Sequence, residues 1–205
     1  MKSRFQWIFA AAGLALGASV QAAPILGSGS LGGSFLALSS ANLSGGAIYA
    51  QGDNFPSTAA RPENSSPSIL TSGNWLAAGP SNANNGGGDA VLTLGAGTTG
   101  VSFLWGSPDS YNSFLVTTSA GSTWYSGSDV ASALGIALGG NQGHASYLNF
   151  TTIGGETIAQ IAFQSPNSNA IEISNISAVP EPSSYALALG GLGLLGVVLR
   201  RRRQA

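Results

Sequence analysis

Val101-Ser102-Phe103-Leu104-Trp105 is followed by Gly106-Ser107-Pro108-Asp109 and then by Phe114-Leu115-Val116-Thr117-Thr118. Successive side chains on an extended strand point to opposite faces. Val101, Phe103 and Trp105 therefore share one face, and Ser102 and Leu104 the other. Phe114, Val116 and Thr118 alternate in the same way with Leu115 and Thr117. Two such runs around a Gly/Pro/Asp turn read as antiparallel strands. Working outward, Ala159, Ile161 and Phe163 alternate with Gln160, Ala162 and Gln164. Ile171 and Ile173 alternate with Glu172 and Ser174, which places Glu172 on the solvent face of a last strand. Residues 31–39, 91–94, 122–125 and 147–152 are further strand candidates, separated by Gly-, Asn- and Ser-rich turns. The pattern predicts an all-β fold, an antiparallel jelly-roll-like β-sandwich of roughly eight to ten strands. One short helix is expected over 130–138, capped by Ser128 or Asp129 and weakened by Gly135. Residues 50–88, with Pro56, Pro62, Pro67 and Pro80, read as a loop-rich insertion anchored by Trp75.

Both ends of the chain differ from this body. Lys2 and Arg4 precede an apolar stretch from Trp7 to Leu16, and Val20-Gln21-Ala22 offers a small-residue cleavage site. Residues 1–22 thus read as a signal peptide cut between Ala22 and Ala23. At the other end, Val179-Pro180-Glu181-Pro182 is a stiff extended stretch, because each proline fixes its own φ and biases the residue before it. An apolar run over 185–199 follows, then Arg200-Arg201-Arg202-Arg203. As a helix the run is about 22 Å long, short of a hydrocarbon core of about 30 Å. The arginines extend its reach by snorkelling and hold the C-terminus on the cytoplasmic side. Residues 179–205 are therefore expected to be a sorting signal with a transmembrane helix at 185–199, leaving 23–178 as the surface domain.

Val-Pro-Glu-Pro, a Gly/Leu-rich apolar segment and an arginine cluster, in that order, resemble the PEP-CTERM sorting tail of Gram-negative bacteria. The resemblance implies recognition by exosortase, a multi-spanning membrane enzyme, with transient anchoring in the inner membrane. Cleavage near Pro180–Pro182 and delivery to the cell surface or exterior would follow. The body resembles a group of exosortase-dependent surface proteins in its Leu104-Trp105-Gly106-Ser107-Pro108-Asp109-Ser110-Tyr111-Asn112 stretch, in Gly127-Ser128-Asp129-Val130, and in the run from Ala170 to Ile176. It departs in having Ile171 where an aromatic is common and Ser174 where an aspartate is common. That second resemblance implies a β-sandwich and no defined activity.

Composition narrows the function further. Six of the seven basic residues lie in the two ends, so residues 23–178 keep Arg61 against seven carboxylates and have no lysine. Such a surface excludes nucleic acid, whose phosphates need Lys and Arg. Cysteine is absent and His144 is the single histidine, which excludes cysteine nucleophiles and multi-histidine metal sites. No cofactor is expected. Calcium is the one ion whose ligand types are offered, at Asp89 with Asn84 and Asn85; a solvated Gly-rich turn is the plainer account.

Trp105, Asp109, Tyr111 and Asn112 form the most suggestive cluster. One reading is a glycan contact, with an aromatic face under a sugar ring and polar groups at its hydroxyls. The other is a hairpin in which Trp105 is core, Asp109 turns the chain and Asn112 satisfies backbone groups. Hydrolase chemistry would need His144 as base, but no Gly-x-Ser-x-Gly elbow supplies a nucleophile. The expectation is a non-catalytic, exosortase-processed surface or matrix protein linked to exopolysaccharide and biofilm. A carbohydrate-binding module resting on Trp105, Tyr111, Trp124 and Tyr125 is the alternative, and an extracellular hydrolase the weaker one.

Overall fold

A computed structural model of the chain describes residues 22–49, 74–79, 89–139, 145–166 and 171–180. In chain order these form β1 (Ile25–Ser28), β2 (Leu43–Ser44), β3 (Ala47–Tyr49), β4 (Trp75–Ala78), β5 (Ala90–Thr93), β6 (Thr98–Gly106), β7 (Ser113–Thr118), β8 (Ser122–Ser126), α1 (Gly127–Leu134), β9 (Ala145–Thr151), β10 (Ile158–Gln164) and β11 (Ile171–Pro180). Two antiparallel sheets face each other, one ordered β1-β9-β6-β11-β4-β3 and the other β2-β5-β10-β7-β8. The all-β, two-sheet architecture is the one the alternation predicts.

The inner faces meet over an aromatic core. Val101, Phe103 and Trp105 from β6 point inward as expected, opposite Phe114 and Val116 from β7. Phe103 meets Phe163 edge-on at 5.2 Å, and Trp105 meets Phe114 edge-on at 5.1 Å. These are favoured aromatic geometries, worth about 0.5–1.5 kcal/mol each beyond the area they bury. α1 contacts both β8 and β1, so it lies across the side where those edge strands leave the sandwich open. Val130 supplies its fully buried contact with the core.

Several local expectations change. α1 starts earlier than predicted: Ser126 is its cap, accepting from the Asp129 N–H, and Gly135 ends it at a left-handed φ of 68°. Residues 31–39 are not a strand. Gly32 and Gly33 take φ of 76° and 89°, which breaks the extension, and Phe35 makes only an isolated bridge to Ser177. Its first residues instead strap the outer face of the first sheet, and the chain then runs beside β11 with Leu36 and Leu38 turned to the core. The Leu31 N–H donates to Ser102 Oγ at 2.9 Å, Ser177 Oγ donates to the Gly32 carbonyl, and the Leu36 N–H donates to the Ile176 carbonyl at 2.6 Å.

Bulges reset two faces. The register of β10 shifts between Ile158 and Gln160, so Ile158 points inward and Ala159 is exposed, against its expected place beside Ile161. β11 bulges between Ser174 and Ser177, with Asn175 at φ 51°, a conformation Asn tolerates better than most residues. Glu172 is buried at 2 % exposure, not on a solvent face; its neighbours in the ladders are Gly106 and Ala77, which leave its side chain room.

Within the expected insertion, Trp75–Ala78 is a strand between β11 and β3. Trp75 is fully buried and stacks on Tyr49 at 4.6 Å, on the sheet face away from the main core. β11 runs through Pro180, past the expected domain border at 178. Among the described residues no helix is long and apolar enough to cross a membrane. The expected signal peptide (residues 1–21 of it) and the expected transmembrane helix at 185–199 lie outside the described residues.

Candidate functional site

β6 carries the Trp105 ring into the core and then turns sharply. Ser107 adopts a left-handed φ of 46° ahead of Pro108. The Asn112 N–H donates to the Asp109 carbonyl at 3.2 Å, closing a turn before β7 begins. Asn112 Oδ1 accepts from Trp105 Nε1 at 3.0 Å and from the Asp109 N–H at 3.3 Å. Tyr111 donates its hydroxyl to Asp109 Oδ2 at 2.7 Å. The four residues of the sequence cluster are thus brought together, but they are turned on one another. Trp105 is 0 %, Asn112 1 % and Asp109 7 % exposed, and only Tyr111 reaches solvent. No face of the Trp105 ring is open to a sugar, so of the two readings of Trp105, Asp109, Tyr111 and Asn112 the geometry favours the hairpin, with Trp105 in the core, over the glycan platform.

The second body motif closes the same corner. The Gly127 N–H donates to the Asn112 carbonyl at 2.7 Å. A Cβ at Gly127 would stand 2.4 Å from the Asp109 carbonyl oxygen and 2.8 Å from that of Asn112. Glycine is required here by close backbone approach. Ser126 Oγ donates to Asp129 Oδ2 at 2.6 Å while accepting from the Asp129 N–H at 3.0 Å. The two sequence motifs are one structural unit, with Asp109 and Asp129 both engaged inside it.

Among the described tryptophans the one that faces solvent is Trp124 on β8, 55 % exposed, whereas Trp75 and Trp105 are fully buried. Its neighbour Tyr125 points the other way, packs on Phe150 at 4.8 Å and donates its hydroxyl to the Pro24 carbonyl. Burial raises the Tyr125 phenol above its ordinary pKa. Adjacent aromatics on a strand must face opposite sides, and that signal in Trp124-Tyr125 would have separated the open ring from the packed one.

Of the calcium candidates, Asp89 is exposed and accepts from Gln164 Nε2, while Asn84 and Asn85 lie outside the described residues. Among the described residues no group of three metal-ligating side chains occurs. His144 also lies outside them. At the expected signal cleavage point, Ala22 is half-buried and Ala23 exposed, just ahead of the Pro24 carbonyl that Tyr125 holds.

Val179 and Pro180 form the end of β11, where Val179 pairs with Gly100 and Pro180 with Thr98. Proline is tolerated there because the ladder ends with it. Glu181, Pro182 and Arg200 to Arg203 lie outside the described residues. A family model of the PEP-CTERM protein-sorting motif matches residues 178–203. This chain carries a PEP-CTERM sorting motif. It marks the chain as an exported sorting substrate whose processing partner is exosortase. The match leaves the body outside the family model, and the body motifs stand on their geometry alone. No curated protein and no solved structure matches the chain.

Proposed function

We propose that the chain is the precursor of a non-catalytic cell-surface or extracellular-matrix protein, exported by a signal peptide at residues 1–22 and cut by exosortase. In this reading the helix at 185–199 anchors the precursor transiently in the inner membrane, with Arg200 to Arg203 on the cytoplasmic side. The mature body then serves an exopolysaccharide-rich surface or biofilm. The observation that carries it is the PEP-CTERM motif continuous with the last strand of a compact sandwich. Lack of catalysis is supported by structural use of carboxylates: Asp109 and Glu172 are buried, Asp109 accepts from Tyr111, and the exposed Asp129 accepts from Ser126 at the start of α1.

The test is intact-mass measurement of the surface protein from cells with and without exosortase. The expected result is a body beginning at Ala23 and ending at or just beyond Pro180, replaced by a heavier membrane-bound form without the enzyme. The same mass and location in both strains would overturn the proposal. A carbohydrate-binding role is the second reading, and the observation in its favour is the open ring of Trp124.

A further inference from the structure

The outer face of the second sheet carries a single apolar row across its strands. Trp124 on β8 is opposite Leu115 on β7, Leu115 is opposite Ala162 on β10, and Ala162 is opposite Val91 on β5. Val91 in turn is opposite Ser44, which closes the row on β2. With strands about 4.8 Å apart, the five positions span about 19 Å. Leu115 and Val91 are half-buried, and Trp124 is the open, flat end.

About 6.8 Å to one side, two residues along each strand, lies a row of hydroxyls and amides. It consists of Ser122, Thr117, Gln160 and Thr93 in the same register. Its members are paired only with one another: Thr117 Oγ1 with Ser122 Oγ at 2.9 Å, and Gln160 Nε2 with Thr93 Oγ1 at 3.5 Å. On the other side the matching positions are Ser113 and Gln164, with Asp89 at the rim.

We propose that this face binds a neutral polysaccharide laid across the strands, with a sugar ring stacked on Trp124. The match is one of charge and polarity. No lysine or arginine occurs among the described residues, so none of the side chains described on this face can pair with a phosphate, a sulfate or a uronate. Asp89 at its rim adds a further penalty against an anionic chain. A pyranose has an apolar CH face that suits the indole and the aliphatic row, and a rim of hydroxyls that suits Thr117, Gln160 and Thr93. A protein partner, or a second copy of this chain, would have to match each of those hydroxyls and amides with a hydrogen bond, since any left buried and unpaired is costly. The site is distinct from the Trp105 corner, whose polar atoms are already used. It depends on the surface-protein reading only for where such a glycan is met.

The test is affinity electrophoresis of the full exported protein in gels containing hydroxyethylcellulose, galactomannan or dextran, with polygalacturonate as the anionic comparison. Retardation by at least one neutral polymer and none by polygalacturonate is expected. Trp124→Ala should weaken binding about tenfold or more, as loss of a central aromatic contact does. Trp124→Tyr should keep most of it, and Gln160→Ala should weaken it several-fold. An unchanged melting temperature in Trp124→Ala establishes that the variant is folded. The proposal is overturned if no neutral polymer retards the protein, or if Trp124→Ala leaves retardation unchanged. It is equally overturned if sedimentation shows that the substitution splits a dimer without altering glycan binding. Because the assay needs no exosortase, its failure would leave the processing result standing, and the reverse.

Discussion

The corner formed by Trp105 to Asn112 and Ser126 to Val130 and the outer face of the second sheet are opposite uses of similar residues. Both combine a tryptophan with hydroxyl, amide and carboxyl groups. In the corner, Asn112 takes the indole N–H, Asp109 takes the tyrosine hydroxyl, and Gly127 lets two backbones touch. On the open face the tryptophan is more than half exposed and the polar groups meet only each other. The conspicuous motif is therefore a device for holding the sandwich closed, while the plainer face is free to meet a ligand. Substitutions should follow that division: large losses of stability in the corner, and almost none on the face.

Trp105→Ala should be the most damaging. It empties a fully buried site beside Phe114 and should cost about 3–5 kcal/mol in denaturant unfolding. Gly127→Ala comes next, because the new methyl meets two carbonyl oxygens rather than a flexible side chain. An overpacking cost of about 1–3 kcal/mol is expected, read as a lower midpoint with unchanged slope. Ser126→Ala removes the α1 cap and should cost about 1 kcal/mol. Trp124→Ala should stay within about 0.5 kcal/mol of the parent. A cost for Trp124→Ala equal to that for Trp105→Ala would erase the distinction between the two regions. If acrylamide quenches the mature body's tryptophan emission strongly before Trp124→Ala and weakly after, the distinction is sharpened.

The fold class was legible where one face of a strand is apolar and the other mixed, as in 101–105 and 114–118. It was illegible where both faces are covered. Trp75-Leu76-Ala77-Ala78 has no alternation because its four residues are all buried, two toward each side of the sheet. The bulges at Ala159 and Asn175 shift the period by one residue and leave no mark that periodicity detects. The strap over residues 31–36 rests on Ser102 and Ser177, whose long-range bonds no local pattern announces. For the site, the sequence offered both readings of the Trp105 corner and named Trp124 as a further aromatic, without telling which ring is open. Composition marks aromatics as suited to sugars, but only the strand phase tells which ring is turned outward.

β11 and the sorting motif share Ala178, Val179 and Pro180, so no spacer separates sheet from tail. β11 lies inside its sheet, with β6 paired to it as far as Pro180. Tension on the tail therefore enters the body through the end of β11 that is paired to β6, β4 flanking only Ile171 to Ile173. Directed along β11, it loads the bonds to β6 in shear, many at once, instead of peeling them apart one at a time.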